Sequence, residues 1–210
     1  MDKKIARVLH SLEKRSKYEE KNHKKISHDQ RMLAITRDAG IFYNILLKTH
    51  KPKKILEIGT SFGYSTLWFA NAIIGKNSKI VTIEQNPHKI NIAQKNFRKA
   101  GVSKMIEIKE GTAKNVLLEL KKSIKSNSKN YFDFIFIDAD KELYPIYFDI
   151  CLSMLKKDGI IAADNILYPI RFKKYIKKYL NHIHGIPSVE SITVPIGNGQ
   201  EISFKKNSKN

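Results

Sequence analysis

From Lys54 onward, short apolar runs alternate with longer segments whose apolar positions recur every three or four residues. Lys54–Ile58, Lys79–Ile83, Met105–Ile108, Phe132–Ile137 and Gly159–Ala163 read as strands, and Tyr64–Ile74, Pro87–Ala100, Ala113–Ile124 and Tyr144–Leu155 as the helices between them. This alternation predicts right-handed crossovers and a doubly wound α/β sheet, mostly parallel, with helices on both faces. A further helix is expected near Phe172–Leu180. After it, Val189–Val194 and Glu201–Phe204 flank Gly197-Asn198-Gly199, a hairpin signal that predicts an antiparallel closing strand.

Ahead of this pattern, Ile5, Val8, Leu9 and Leu12 lie at helical spacing within a charge-dense stretch of residues 1 to about 25, which predicts an amphipathic helix. Asp29 to Lys48 reads as a second helix, with Met32, Leu33, Ile35, Ile41, Phe42, Ile45 and Leu46 on its apolar side, and Pro52 breaks the chain before the core. With 210 residues and 41% hydrophobic content, one sizeable core is expected. The reading is a single domain over 1–210, made of an N-terminal helical segment (1–50) and a core (51–205). The only low-complexity stretch, Lys125–Asn130, is expected to be a Ser/Asn/Lys loop.

Composition narrows the setting more than the chemistry. Thirty-nine Lys and Arg against 20 Asp and Glu give +19, which suits a nucleic-acid partner, other anions or simply a Lys-rich solvated surface. The lysines occur as scattered pairs without an Arg-rich or aromatic-interleaved block, so the solvated surface is the preferred reading. A lone Cys151 excludes an intrachain disulfide framework. No apolar run approaches a membrane span and the N-terminus is charged, so a cytoplasmic protein without membrane contact is expected.

Candidate chemistry sits at strand ends. Phe134-Ile135-Phe136-Ile137 stops on Asp138-Ala139-Asp140-Lys141, and Ile160-Ile161-Ala162-Ala163 stops on Asp164-Asn165. Open α/β sheets place ligands at such ends. Asp138, Asp164 and Asn165 offer only oxygen ligands, as a hard cation such as Mg²⁺ requires, and Lys141 is close enough in sequence to share the site. Taken one at a time, these residues read more readily as a strand end, a helix cap at Asp140 and a turn.

Upstream, Ile55-Leu56-Glu57-Ile58-Gly59 runs through Thr60-Ser61-Phe62-Gly63 into a helix, a turn suited to an anionic or carboxylate ligand. Its G-x-x-x-G spacing has Ser61 where a dinucleotide site would have its second glycine, which disfavours a pyrophosphate and hence NAD. Glu84 ends the second strand, where an acid accepts ribose hydroxyls or merely caps a helix. Gly111-Thr112-Ala113 supplies small residues against which an adenine could lie. A nucleoside cofactor lacking a pyrophosphate fits all three features.

In order, ILEIGTSFGYST, TIEQN, EGTA, FDFIFIDADKELY, IIAADNIL and PIGNGQEI resemble the cation-dependent, S-adenosylmethionine-using O-methyltransferases of the catechol and caffeoyl-CoA type, over about Met32 to Phe204. The resemblance implies that Gly59 and Ser65 contact the methionine end of the cofactor, that Glu84 holds the ribose, that Thr112 and Ala113 border the adenine, and that Thr36 borders the cofactor. It implies Asp138 in both cofactor pocket and metal site, Asp164 and Asn165 as the other Mg²⁺ ligands, Lys141 as general base, and a homodimer. Two departures stand out: only Ile166–Arg171 separates Asn165 from the next helix, shorter than the loop that walls the acceptor pocket in many relatives, and Thr112 stands where many carry an acid. The expected acceptor is a small hydroxylated, catechol-like or otherwise chelating molecule. The alternatives are a hydroxylated tRNA nucleoside of the 5-hydroxyuridine kind, methylated by bacterial relatives, and a non-catalytic basic binding module.

Overall fold

The computed structural model describes residues 1–22, 24–125 and 131–206, so the Ser/Asn/Lys loop expected at Lys125–Asn130 falls, from 126 on, outside the described residues. Chain order runs α1 (Lys3–Lys21), α2 (Arg37–His50), β1 (Lys54–Ile58), α3 (Tyr64–Ile73), β2 (Lys79–Glu84), α4 (Pro87–Ala100), β3 (Ile106–Glu110), α5 (Ala113–Lys125), β4 (Phe132–Ile137), α6 (Tyr144–Met154), β5 (Leu155–Asp164), α7 (Lys173–His184), β6 (Val189–Val194) and β7 (Gln200–Lys205).

Alternation within the strands builds two cores. Ile55, Phe134 and Phe136 face one side of the sheet, while Leu56, Ile58, Ile135 and Ile137 face the other, and all are fully buried. On the first side Tyr43 of α2, Phe69 of α3 and the two phenylalanines pack edge to face, with ring centroids 5.0 to 6.0 Å apart. On the second, Tyr144, Phe148 and Tyr179 of α6 and α7 cover β4 and β5.

The sheet has seven strands in the order β3-β2-β1-β4-β5-β7-β6, parallel except for β7, which runs antiparallel to both β5 and β6. Doubly wound topology and the antiparallel closing strand are as expected. Strand order reverses between β1 and β4, so the crevice for a ligand lies beyond Ile58 and Ile137. Backbone bonds knit that point: Asp138 N donates to Ile58 O at 2.9 Å, and Gly59 N and Thr60 N donate to Ile83 O at 3.0 and 3.1 Å.

One expected element is different. Instead of a helix from Asp29, the chain forms a short 3₁₀ turn at His28–Gln30, then an irregular strap to Thr36, and α2 begins only at Arg37. Leu33 has φ +47, and Thr36 caps α2 by accepting from Ala39 N at 3.2 Å. Tertiary partners replace helical hydrogen bonds: Met32 N donates to the buried Glu19 carboxylate at 2.8 Å, and Met32 O accepts from Ser61 Oγ. Met32 and Ile35 are nevertheless buried, so their apolar spacing reports burial of a strap and not a helical face. At the other end α2 continues past Lys48 to His50, where Lys51 takes the left-handed cap.

α1 carries Ile5, Val8, Leu9 and Leu12 into the first core beside α3 and α4, with Asp2 as its cap. No helix among the described residues is long and apolar enough to cross a membrane.

Candidate active site

The strand ends bring most of the expected residues to one edge. Gly59 has φ +102, and a Cβ there would overlap the carbonyl oxygen of Asp138, so only glycine lets β1 and β4 approach at the switch point. Asp138 is largely buried and pairs with Lys141 Nζ at 2.7 Å. Lys141, buried on the 3₁₀ turn that opens α6, also donates to Tyr144 Oη at 2.6 Å. That phenol oxygen lies 3.1 Å from the carbonyl oxygens of both Ile137 and Asp164, and thereby ties the end of β4 to the end of β5.

Asp164 ends β5 at 2% exposure, and its Oδ1 accepts from Gln200 Nε2. Gln200 in turn accepts from Tyr43 Oη at 2.5 Å, a line of side chains that fixes the carboxylate from the closing strand and from α2. Burial, and after it the negative charge of Asp138, push the Asp164 carboxyl up to about 7, against the opposing pull of Lys141. Asn165 follows with φ +65, so the chain leaves the strand alternation there, as adjacent residues must if both are to address one ligand.

Glu84 ends β2 as expected, with its carboxylate already engaged: Ser61 N donates to Oε2 at 2.8 Å, and Gln85 N and Asn86 N to Oε1 at 2.9 and 3.0 Å. Of about four acceptor positions on a carboxylate, about one remains. Thr112 and Ala113 lie beside it, because Gly111 N donates to Glu84 O at 2.9 Å. Thr112 takes the cap position of α5, accepting through its carbonyl from Val116 N.

Two other expected residues have partners within the protein. Thr36 caps α2 and lies against Gly197 in the β6–β7 turn. Ser65 points inward and donates to Glu57 Oε1 at 2.5 Å. Glu57 is a fully buried acid inside β1 that also accepts from the Thr66 and Thr82 hydroxyls at 2.5 and 2.6 Å. Burial raises its carboxyl to about 7 although these hydroxyls oppose the shift.

Glu57, Tyr144, Gln200 and Tyr43 were not singled out from the sequence. A charged or amide residue inside an otherwise apolar strand is the signal that marks Glu57 and Gln200; the tyrosines have none.

Among the described residues no cluster of three His, Cys, Asp or Glu side chains forms a ready-made metal cage. The donor set still suits a hard cation: Asp138 and Asp164 stand at neighbouring strand ends, and the amide residue Asn165 completes a set of side-chain oxygens.

A doubly wound sheet closed by an antiparallel strand between β5 and β6, with its polar residues at the β1/β4 switch point, is the Rossmann-like methyltransferase fold. The chain belongs to the O-methyltransferase family: residues 9–205 match the model of the family so described. It is 33% identical over 189 residues to caffeoyl-CoA O-methyltransferase 5 of Nicotiana tabacum, covering 82% of this chain and 77% of that protein. It is 36% identical over 135 residues to the catechol O-methyltransferase of Niastella koreensis, covering 64% of this chain and 59% of that protein. Among solved structures, an O-methyltransferase from Bacillus cereus in complex with SAH superposes with TM-score 0.76 at 25% identity, over 98% of this chain and 92% of that one.

Proposed function

We propose that this O-methyltransferase moves a methyl group from S-adenosylmethionine to a hydroxyl of a small chelating acceptor, with a divalent cation held by Asp138, Asp164 and Asn165. The observation that carries the reading is the pairing of Asp138 with the buried Asp164 at adjacent strand ends, linked through Lys141 and Tyr144. When bound, the cofactor supplies an electrophilic methyl and the cation lowers the pKa of a coordinated hydroxyl. Gly59, Glu84, Thr112 and Ala113 line the cofactor's side of the edge. Glu84 offers its remaining lone pair to a ribose hydroxyl, and a second hydroxyl would require Ser61 N to yield its place.

Lys141 moves the acceptor's proton. Its ammonium lies 2.7 Å from the Asp138 carboxylate, which holds it at the strand end where the acceptor's proton would be taken. Tyr144, in contact with Lys141 and with the backbone of both strand ends, holds the amine in place. Transfer is then an in-line displacement in which positioning does most of the work.

The surroundings favour a small acceptor over RNA. Beyond Asn165, Leu167, Tyr168 and Ile170 are 56%, 60% and 72% exposed, an apolar rim suited to an aromatic ring. Leu167 N and Tyr168 N both bond Asn198 O, so this short segment is held against the β6–β7 turn. Near the acidic strand end, Asp140 and Glu142 add negative charge that phosphates would meet.

Methyl transfer from labelled cofactor to a catechol is expected to stop with chelator, to return with Mg²⁺, and to be lost in Asp164→Ala while cofactor binding persists. Full turnover by that variant would overturn the metal assignment. Label entering the RNA fraction of an extract in place of the small-molecule fraction would reassign the acceptor.

A further inference from the structure

The lysines, scattered in sequence, are aligned by strand register. Parallel strands share an N-terminal edge, and the antiparallel β7 brings its C-terminal end to that same edge, opposite the candidate active site. Hydrogen bonds trace the row from strand to strand. Lys79 Nζ donates to Lys104 O, just before β3, at 2.7 Å, and Lys79 is the register partner of Lys54. Lys53 N and Lys54 N donate to Asp133 Oδ2 at 2.9 and 2.8 Å, and Lys156 Nζ to Asp133 Oδ1 at 2.7 Å. Lys205 Nζ, at the end of β7, donates to the carbonyls of Leu152 and Leu155 at 2.9 and 2.8 Å.

Positive charge is crowded here. Burial, and next the nearby Lys157, hold the Lys205 ammonium below the usual lysine range. Asp133, the acid at the middle of the row, has its carboxylate spent on Lys156 and two backbone N–H groups. Asp158, Glu190 and Glu107 are the other acids of this edge, Glu190 lying 4.0 Å from Lys206 and Glu107 2.7 Å from Lys109. The surplus therefore remains strongly positive.

We propose that this edge binds the phosphate backbone of a nucleic-acid duplex, independently of methyl transfer. From β3 to β7, at about 4.8 Å per strand, the row runs about 24 Å, about two thirds of a duplex turn of about 34 Å, so it can lie along the backbones that border one groove. A duplex fits better than a single strand, because single-strand binders stack bases on exposed aromatics. Among the described residues the exposed aromatics are Tyr18 and Tyr168, on α1 and beyond Asn165, whereas Phe132 at this edge is buried with Lys54 Nζ 5.6 Å over its ring. Bound duplex lies a whole strand length from Asp138, so it is not the methyl acceptor.

The test titrates the full chain with fluorescent RNA and DNA duplexes of about two helical turns. Both are expected to bind, with log K falling against log salt at a slope of about −4 to −5 for about five phosphate contacts. Replacing the exposed Lys53, Lys79, Lys104 and Lys157 by Gln should weaken binding about 100-fold at 0.1 M salt and flatten the slope by about 3. The thermal melt and catechol turnover should be unchanged. A control with the same charge change on exposed lysines of α1 and α7 (Lys14, Lys17, Lys177 and Lys178 to Gln) should lose less than about fivefold. Equal binding of the two duplexes would identify backbone charge as the feature read, and a tenfold preference would identify the A-form or B-form groove. The proposal is overturned if the control loses as much as the edge variant, if neither duplex binds at low salt, or if acidic lipid vesicles bind the edge and the duplexes do not.

Discussion

Glu57 is the residue whose environment makes the clearest demand. Its carboxyl is fully buried in β1, surrounded by three hydroxyl donors, and raised from an ordinary 4.5 to about 7 by burial. The folded protein therefore keeps a proton that the unfolded chain releases, between about pH 4.5 and 7. Stability from this group is fully present below the lower value and is lost as pH rises through the upper one, by at most about 3 kcal/mol. Asp164 adds a change of the same sign when no cation is bound. Denaturant melts in chelator should thus show stability falling from pH 5 to 8, and Glu57→Gln should flatten that fall while leaving the Asp164 part. An unchanged slope in the variant would mean that Glu57 titrates normally. Ser65 spends its one donor on this acid and keeps only the acceptor positions of its hydroxyl.

At the scale of elements, strands such as Phe132–Ile137 and helices such as Pro87–Ala100 were legible because local signals and tertiary burial agree. The first is apolar on both faces, and the second has Asn86 as cap, Pro at its start and Gly101 in the left-handed stop. The strap before α2 was not legible, because what holds it is remote in sequence: Glu19 on α1, Ser61 after β1 and Gly197 after β6. Gln200 and Tyr144 were hidden for the same reason, since only the closing strand and the α6 turn bring them to Asp164. The strap crosses the strand ends, with Asn86 Nδ2 donating to Asp29 O at 3.1 Å, and so borders the proposed cofactor's entry. Glu19→Ala leaves Met32 N without its buried acceptor and should cost about 1–3 kcal/mol. Amide exchange should rise at Met32 to Thr36 before it rises in the sheet. Unaltered protection there would show that Glu19 does not secure the strap.

Over the whole molecule, strand register gives the two ends of one sheet different charge, with Lys141 among the carboxylates of one end and Asp133 among the lysines of the other. Carboxylates gather where β4 and β5 end, and lysines gather where the parallel strands begin, a separation invisible in a linear sequence whose charge sums only to +19. Burying Asp164, and setting Asp138 beside it, is costly, as the raised Asp164 carboxyl records, and the proposed divalent cation would relieve that cost only in the folded state. Binding to the native state alone stabilises it by RT ln(1 + [L]/Kd), about 2.7 kcal/mol at a hundredfold excess over Kd. For a chain of this size each kcal/mol moves Tm by about 2–4 °C, so saturating Mg²⁺ should raise Tm by about 5–11 °C. The same addition to Asp164→Ala should leave Tm nearly still, and so should an equal ionic strength of NaCl on the parent protein. A rise of equal size with NaCl would assign the effect to screening of the lysine edge, where repulsion also favours unfolding. A rise specific to Mg²⁺ and dependent on Asp164 locates it at the two strand ends, without recourse to any acceptor or to turnover.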